Sequence, residues 1–355
     1  MRIVFVGPPS GTSLHRCSAL QRLGHETTLI DPRSWLPRAR WVGPWMYRTG
    51  GIGSNVLIAR RLSAAVATAQ PDLVWVDQGE WLGPRIIREI RECSGNDVPV
   101  VNYAVDDPFS GRDRRRFAGY RHALSHYDMV CVVRDENVAE AYAHGARQVF
   151  QVWRSADEVA HAPRVLNAEQ EARFAGEVVF VGTWMPERGP FLAELVQRGV
   201  PLAIWGNRWQ KAPEWQQLAP HWRGPGLTMD DDYAAAILAS KVSLGLLSKG
   251  NRDLHTTRSL EIPALGGLLC AERTSEHLAL YEEGSEAVFW SDAAECAEQC
   301  RALLADEPRR RAIAAAGHAR AQRNGHYNEQ VMAKIIAAVL PGTVTASTLA
   351  TGAVG

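Results

Sequence analysis

Short apolar runs rich in β-branched residues recur along the chain, each ending in a polar or glycine-containing turn that leads into a helical pattern. Ile3–Val6 is the first, closed by Gly7-Pro8-Pro9. Ser10-Gly11-Thr12-Ser13 opens a helix over Leu14–Leu23 with Gly24 as its C-cap, and Thr27–Ile30 is the next strand. Strand, Gly-rich loop, helix and strand make a βαβ unit, which implies a parallel sheet with a right-handed crossover. The pattern continues through helix Ile58–Ala69, strand Leu73–Val76, helix Arg85–Glu92, strands Val98–Tyr103 and Tyr127–Val133, helix Asp135–His144 and strand Val149–Trp153. These fill a first Rossmann-like domain over 1–155. A polar stretch, 156–176, reads as a linker.

Val178–Val181 restarts the alternation. Helix Pro190–Arg198, strand Leu202–Trp205, helix Asp230–Ala239, strands Val242–Leu247, Leu268–Ala271 and Ala287–Trp290, and helices Ala293–Leu304 and Pro308–Arg320 follow. They predict a second Rossmann-like domain over 177–320. A terminal helix within 321–340 is expected to pack back on the first domain, and 341–355 is expected to be a disordered tail. The fold class is α/β: two Rossmann-like β/α/β domains whose strand carboxyl ends face a central cleft.

Composition narrows the partners. The 355 residues carry Lys+Arg and Asp+Glu at 39 each, so no global field draws the chain to nucleic acid or to an anionic membrane. Arg112–Arg116 (RDRRR) is a local exception; it reads either as a solvated face or as a dock for a phosphorylated or lipid-linked substrate. The six cysteines include no C-x-x-C pair and no zinc spacing, which fits a reducing cytosol. The N-terminus lacks a signal-peptide pattern, and no apolar run approaches the roughly 18 residues of a membrane span. A cytoplasmic location is expected.

Residues just past the carboxyl ends of parallel strands are where doubly wound folds bind ligands. In the first half these are Asp77, Glu80, Asp106 and Asp107, and the loop holding Gly11, whose backbone N–H groups can meet an anion. Asp106 and Asp107 are candidates for the chemistry; the structural alternative is that Asp107 caps the turn before Pro108 and Ser110. Ser34–Ser54 is rich in Trp, Arg, Pro and Gly without a clean period. It reads either as a surface excursion or as a loop that stacks on a sugar or grips an acceptor phosphate.

The most informative stretch is Asn251–Ala271, NRDLHTTRSLEIPALGGLLCA. Thr256 or Thr257 can N-cap a short helix. Pro263 lacks a helical donor, which places the helix start near Arg258–Ser259, beside Asp253. A nucleoside diphosphate needs helix-end N–H groups, cations and a carboxylate for ribose hydroxyls. Arg258 and Lys249 can supply charge and Glu261 can accept from a cis-diol. The loops at Gly182-Thr183 and Gly206-Asn207 lie past strand ends of the same half. Asp230-Asp231-Asp232 reads as an acidic helix start.

The D-x7-E spacing of Asp253 and Glu261, running on into E-I-P-A-L-G-G, resembles the E-x7-E element of GT-B retaining glycosyltransferases of the family 4 type. It is most similar to a spore-maturation-like branch. Arg258, Glu261, Gly266-Gly267, Glu272-Arg273-Thr274 and the segment 306–320 carry that likeness. It extends over about Val178–Arg320 and is fainter over VWVDQGE, NYAVDDP and YDMVCVV in the first half. The resemblance implies that Glu261 holds the donor ribose and that Asp253, shorter than the usual Glu, lies near the donor sugar. It implies that Arg188 and Lys249 grip the diphosphate. It further implies retaining, metal-independent transfer in which the leaving phosphate helps deprotonate the acceptor and charge neutralisation carries the rate. No cofactor is expected beyond a nucleotide-sugar donor, and the acceptor is left open.

Two other readings stand beside a glycosyltransferase. A nucleotide-sugar epimerase of the same fold would use first-domain groups such as Asp77, Asp106 and His126. A non-catalytic GT-B-like binding protein would account for the Asp at 253.

Overall fold

The computed structural model describes residues 1–95, 97–227 and 230–340. The tail expected from position 341 lies outside the described residues. The chain divides into two compact units. One comprises Met1–Trp153 and the chain from Asn328; the other is Arg154–Tyr327. No helix among the described residues is long and apolar enough to cross a membrane.

The first unit runs β1 (Arg2–Val6), α1 (Gly11–Arg22), β2 (Glu26–Ile30), α2 (Val42–Thr49), α3 (Asn55–Ala69), β3 (Leu73–Asp77), α4 (Pro84–Ser94), β4 (Val100–Ala104), α5 (Ala118–Ala123), β5 (Met129–Val132), α6 (Asp135–Ala143) and β6 (Val149–Gln151). The strands form one parallel sheet in the order β2-β1-β3-β4-β5-β6. Successive strand side chains point to opposite faces. Val4, Val6, Val74 and Val76 pack under α3 and α4 with Ile58, Leu62 and Ile87. Ile3, Phe5, Trp75 and Tyr103 face the other way, against Leu20 of α1 and Met332 and Ile335 of the terminal helix Asn328–Val339. Covering on both faces explains why the strands read as unbroken apolar runs.

Helix α2 lies within the segment that shows no period in the sequence. None of its residues is fully buried, so no apolar face marks it. Pro44 sits in its first turn, where a missing N–H costs no bond.

The second unit contains α7 (Ala168–Phe174), β7 (Gly176–Val181), α8 (Arg188–Gln197), β8 (Leu202–Trp205), α9 (Trp215–Leu218), β9 (Trp222–Gly224), α10 (Asp230–Leu238), β10 (Ser240–Gly245), α11 (Arg258–Leu265), β11 (Leu269–Glu272), α12 (Ser275–Leu280), β12 (Val288–Trp290), α13 (Ala293–Ala305) and α14 (Glu307–Asn324). Its parallel sheet is ordered β12-β11-β10-β7-β8-β9. Gly206 is demanded by the fold: a Cβ there would lie 1.8 Å from the Gly182 carbonyl oxygen. Cys270, Cys296 and Cys300 are fully buried side by side between β11 and α13.

The domain edges differ from the sequence reading in two places. The stretch read as a linker belongs to the second unit, where Ala156 pairs with Tyr327 and its N–H donates to His326 O at 3.0 Å. The edge expected at 320 falls inside α14. Helical periodicity continues to Asn324, and Gly325 ends it in the left-handed conformation at φ 64°.

Pro263 lies inside α11 and cannot donate to the carbonyl four residues back, that of Ser259. The Tyr281 hydroxyl takes that place, donating to Ser259 O at 2.9 Å in a buried setting. Tyr281→Phe should therefore strand a buried acceptor and cost about 1–3 kcal/mol. For a unit of this size that is roughly 2–4 °C of melting temperature per kcal/mol. An unchanged melting curve would show that the bond contributes nothing.

Candidate active site

In the second sheet β7 and β10 are neighbours, and the strand order runs outward from them in both directions. Such a reversal leaves a crevice past the carboxyl ends of the two central strands. The loops that bound it are 182–187 and 246–257. Arg188, at the start of α8, stitches them together. Its Nε and Nη2 donate to Leu247 O at 3.2 and 3.1 Å, Nη2 also to Leu246 O at 3.1 Å, and Nη1 to Thr183 O at 2.9 Å. Its guanidinium carbon lies 5.5 Å from the Phe180 ring centroid. The cation expected to grip a diphosphate thus spends its donors on backbone carbonyls and sets the spacing of the two loops.

Lys249 is exposed. Its ammonium pairs with Glu272, and its backbone N–H donates to Glu187 Oε1 at 3.0 Å. Gly182 donates to Trp205 O at 2.8 Å and accepts from Trp209 Nε1 at 3.0 Å, so this loop is held from two sides. Asn207 holds the next loop: its O accepts from Trp184 N at 2.9 Å and its Oδ1 from Gly226 N at 3.0 Å. Arg273, of the Glu-Arg-Thr motif, forks onto Glu283 and Glu295 and locks the end of β11 to that of β12. Thr274 caps α12 through His277 N and donates to Leu254 O at 2.6 Å, steadying the loop that carries Asp253.

Helix α11 begins at Arg258 with Thr257 as N-cap, where Pro263 had located it. Thr256 N donates to Ser259 Oγ at 3.0 Å, and Ser259 Oγ lies 2.7 Å from His277 Nε2. His277 Nδ1 is 2.6 Å from the Glu272 carbonyl and must donate there, so Ser259 donates to Nε2. Thr256 Oγ1, at the mouth of this turn, is buried and has no partner among the described residues.

Arg258 lies with its Nε 3.2 Å from Val181 O, its Nη1 on Glu261, and its guanidinium carbon 4.5 Å from the Tyr233 ring centroid. Glu261 is 1% exposed. His161 Nε2 stands 3.6 Å from its Oε1, and His161 Nδ1 accepts from Asp157 N at 2.8 Å. With Nδ1 accepting, the ring's Nε2 carries the proton that faces Glu261. Burial works to raise the Glu261 pKa, but Arg258 and His161 outweigh it and hold the carboxyl below its ordinary value.

Asp253 is equally enclosed. Its Oδ1 accepts from Arg154 Nη2 at 3.0 Å, with both side chains buried. Arg154 also donates to His255 O, and its backbone N–H donates to His255 Nε2 at 3.2 Å. His255 Nδ1 faces Glu276 at 2.6 Å. The two carboxylates of the D-x7-E element are therefore each met by a side chain from residues 154–161. Sequence reading assigned no role to Arg154, His161, His255 or Tyr233. A polar stretch looks the same in sequence whether it is solvated or turned inward onto buried acids.

The first-unit candidates divide differently. Asp107 is fully buried and its Oδ1 accepts from Phe109 N, Ser110 N and Asn137 Nδ2 at 3.0–3.1 Å, an anchor for its loop. Asp106 is half-buried, 3.5 Å from Arg116. Gly11 starts α1 at φ 55°. Asp77 forms a buried fork with Arg16 at 2.7 and 2.8 Å, beneath which lies the Tyr103 ring. A cleft of about 510 Å³ opens past β3, lined by Asp31, Arg38, Tyr47, Glu80, Trp81 and Arg116 among others. Glu80 Oε1 accepts from Arg33 and Arg116, while its Oε2 is buried without a partner among the described residues. Gln78, at φ 64°, holds the bend that turns Glu80 toward the cleft.

Two doubly wound parallel sheets, one with its acids and cations gathered at the strand reversal, define a protein of the GT-B glycosyltransferase fold. Residues 188–337 match the family model described as glycosyl transferase-like. Among solved structures, HepE of Anabaena in complex with UDP and glucose superposes with a TM-score of 0.64 at 13% identity, over 95% of this chain and 100% of that one. Sucrose-phosphate synthase of Thermosynechococcus elongatus gives 0.65 at 13% identity, over 96% and 99%. The α,α-trehalose 6-phosphate synthase of Burkholderia multivorans gives 0.63 at 13%, over 95% and 97%. No curated protein matches the chain.

The Glu261 environment has a consequence for acid stability. Its folded pKa lies below the unfolded value of about 4.3, so the unfolded chain takes up the proton first as pH falls. The contribution is complete above that value and lost as pH falls through the folded pKa. The stability difference between the parent chain and Glu261→Gln, measured by urea unfolding, should be flat near neutrality and shrink at acid pH. A difference that grows on acidification would reverse the assignment.

Proposed function

We propose that the chain is a glycosyltransferase that moves a sugar from a nucleoside-diphosphate sugar, with the donor nucleotide held at the β7/β10 reversal of the second unit. The observation that carries this is the pairing of Glu261 and Arg258 at the N-terminal turn of α11, where helix N–H groups and a cation adjoin a carboxylate kept ionised. Glu261 accepts from the ribose hydroxyls. Arg258, nearly a third exposed, and Lys249, whose partner Glu272 is a surface group, offer charge to the diphosphate. The matched family and the UDP and UDP-glucose complexes among proteins of this fold support a uridine-type donor.

Transfer is retaining and needs no metal on this reading. The helix end and the two cations stabilise the leaving diphosphate, which takes the acceptor proton. The motifs that carry the likeness to a spore-maturation-like branch support this assignment within the fold. The free state of all six cysteines supports action in a reducing compartment. Asp253 pairs with Arg154 and fixes the loop under the donor sugar.

The test is to incubate the chain with UDP-, GDP- and ADP-sugars in the presence of EDTA and to follow free nucleoside diphosphate. Release is expected with one base. Glu261→Ala should weaken nucleotide binding by at least tenfold, about 1.4 kcal/mol, with the unfolding profile of the first unit unchanged. Unaltered affinity would end the assignment. Loss of donor stereochemistry without release would identify an epimerase, and binding without turnover a non-catalytic protein.

A further inference from the structure

The chain as a whole is neutral, yet between Asp31 and Asp72 it carries six arginines and not one carboxylate. The same stretch is unusually apolar at its surface. Five of the eleven large apolar side chains exposed among the described residues lie in it: Trp41, Tyr47, Ile52, Val56 and Leu57. Ile52 is 70% exposed and Trp41 61%. These are not scattered. Val56, Leu57, Arg60 and Arg61 share one face of α3, opposite Ile58, Ala59 and Leu62, which enter the core. Helix α2 precedes them and has no fully buried residue.

The Arg112–Arg116 run joins this face. A Cβ on Gly50, at the C-cap of α2, would lie 2.1 Å from Arg116 O, and the Arg116 guanidinium sits 5.0 Å from the Tyr47 ring centroid. Arg112, Arg114 and Arg115 are exposed beside it. Aromatic and aliphatic side chains left in water, edged by arginines that outnumber the single acid of the run, Asp113, itself paired with Arg112 at 3.6 Å, have the chemistry of a surface that lies on anionic lipid. A nucleic acid would use the arginines but gives no reason for exposed Ile52, Val56 and Leu57.

We propose that the face formed by α2, the start of α3 and the Arg112–Arg116 run docks on an anionic bilayer. Trp41, Ile52 and Leu57 enter the headgroup boundary, and Arg40, Arg48 and Arg60 meet lipid phosphates. Helix α2 also walls the 510 Å³ cleft, through Val42, Met46 and Tyr47. Docking therefore brings the mouth of that cleft to the headgroup layer. If the glycosyltransferase reading holds, the acceptor is a hydroxyl-bearing lipid headgroup or lipid-linked sugar, and the buried Glu80 Oε2 accepts from its hydroxyl.

The docking test needs no donor, so its outcome is separate from that of the transfer assay. The full chain is sedimented with vesicles of phosphatidylcholine alone and of phosphatidylcholine mixed with phosphatidylglycerol. It should pellet with the mixed vesicles, and less so in about 1 M salt, where charge is screened beyond roughly 3 Å. The Arg40→Gln/Arg48→Gln variant should partition on the order of 25-fold more weakly, about fivefold per arginine. On the unaltered chain, brominated acyl chains should quench tryptophan fluorescence in the mixed vesicles, a readout independent of any variant's folding. Equal binding to both vesicles, no quenching, or unaltered partitioning of the double variant would overturn the proposal. So would a dimer dissolved by Trp41→Ser/Ile52→Ser, or binding to RNA without binding to vesicles.

Discussion

Two buried carboxylates eight positions apart, Asp253 and Glu261, need counter-groups, and the chain supplies both from one short stretch. Arg154 meets Asp253 and His161 meets Glu261. A lone buried charge is strongly unfavourable, so these contacts fix where residues 154–161 must lie. Around them the loops past β7 and β10 take their places. Arg188 binds the two loops to each other, and Arg258 ties α11 to the end of β7. Cations that would serve a ligand in a looser site serve the scaffold here. On the proposed reading, that leaves the helix end, Lys249 and the outer edge of Arg258 to meet a diphosphate.

Much of the fold was legible. The alternation of apolar run, turn and helix marks eleven of the twelve strands among the described residues, because a parallel sheet covered on both faces leaves continuous apolar segments in the sequence. Pro263 located the start of α11 through the chemistry of a missing donor. What the sequence did not reveal has a common physical cause. β9 is three residues long, Trp222–Gly224, below the length at which a period can be read. Helix α2 buries no face, so no stripe of apolar residues announces it.

The arrangement of the candidate residues was legible in part. Glu261, Arg258 and Thr257 come together at one helix end, and Thr183 and Arg188 lie across from them. Asp107, offered as a chemical group, is instead a loop anchor with three donors on one oxygen. The distinction between an acid that reacts and one that holds a turn depends on which N–H groups point at it. That is a property of backbone direction and is not written in residue type.

The terminal helix has a further consequence, for the order in which the protein can be finished. Val331, Met332, Ile335 and Ile336 complete the apolar layer over Phe5 and Trp75. Those four residues are among the last of the described chain to leave the ribosome. Throughout synthesis of the second unit, the first-made sheet carries an open apolar face. The first unit is closed by a helix made after the whole second unit, so its sheet waits for residues 328–339 before that face is covered.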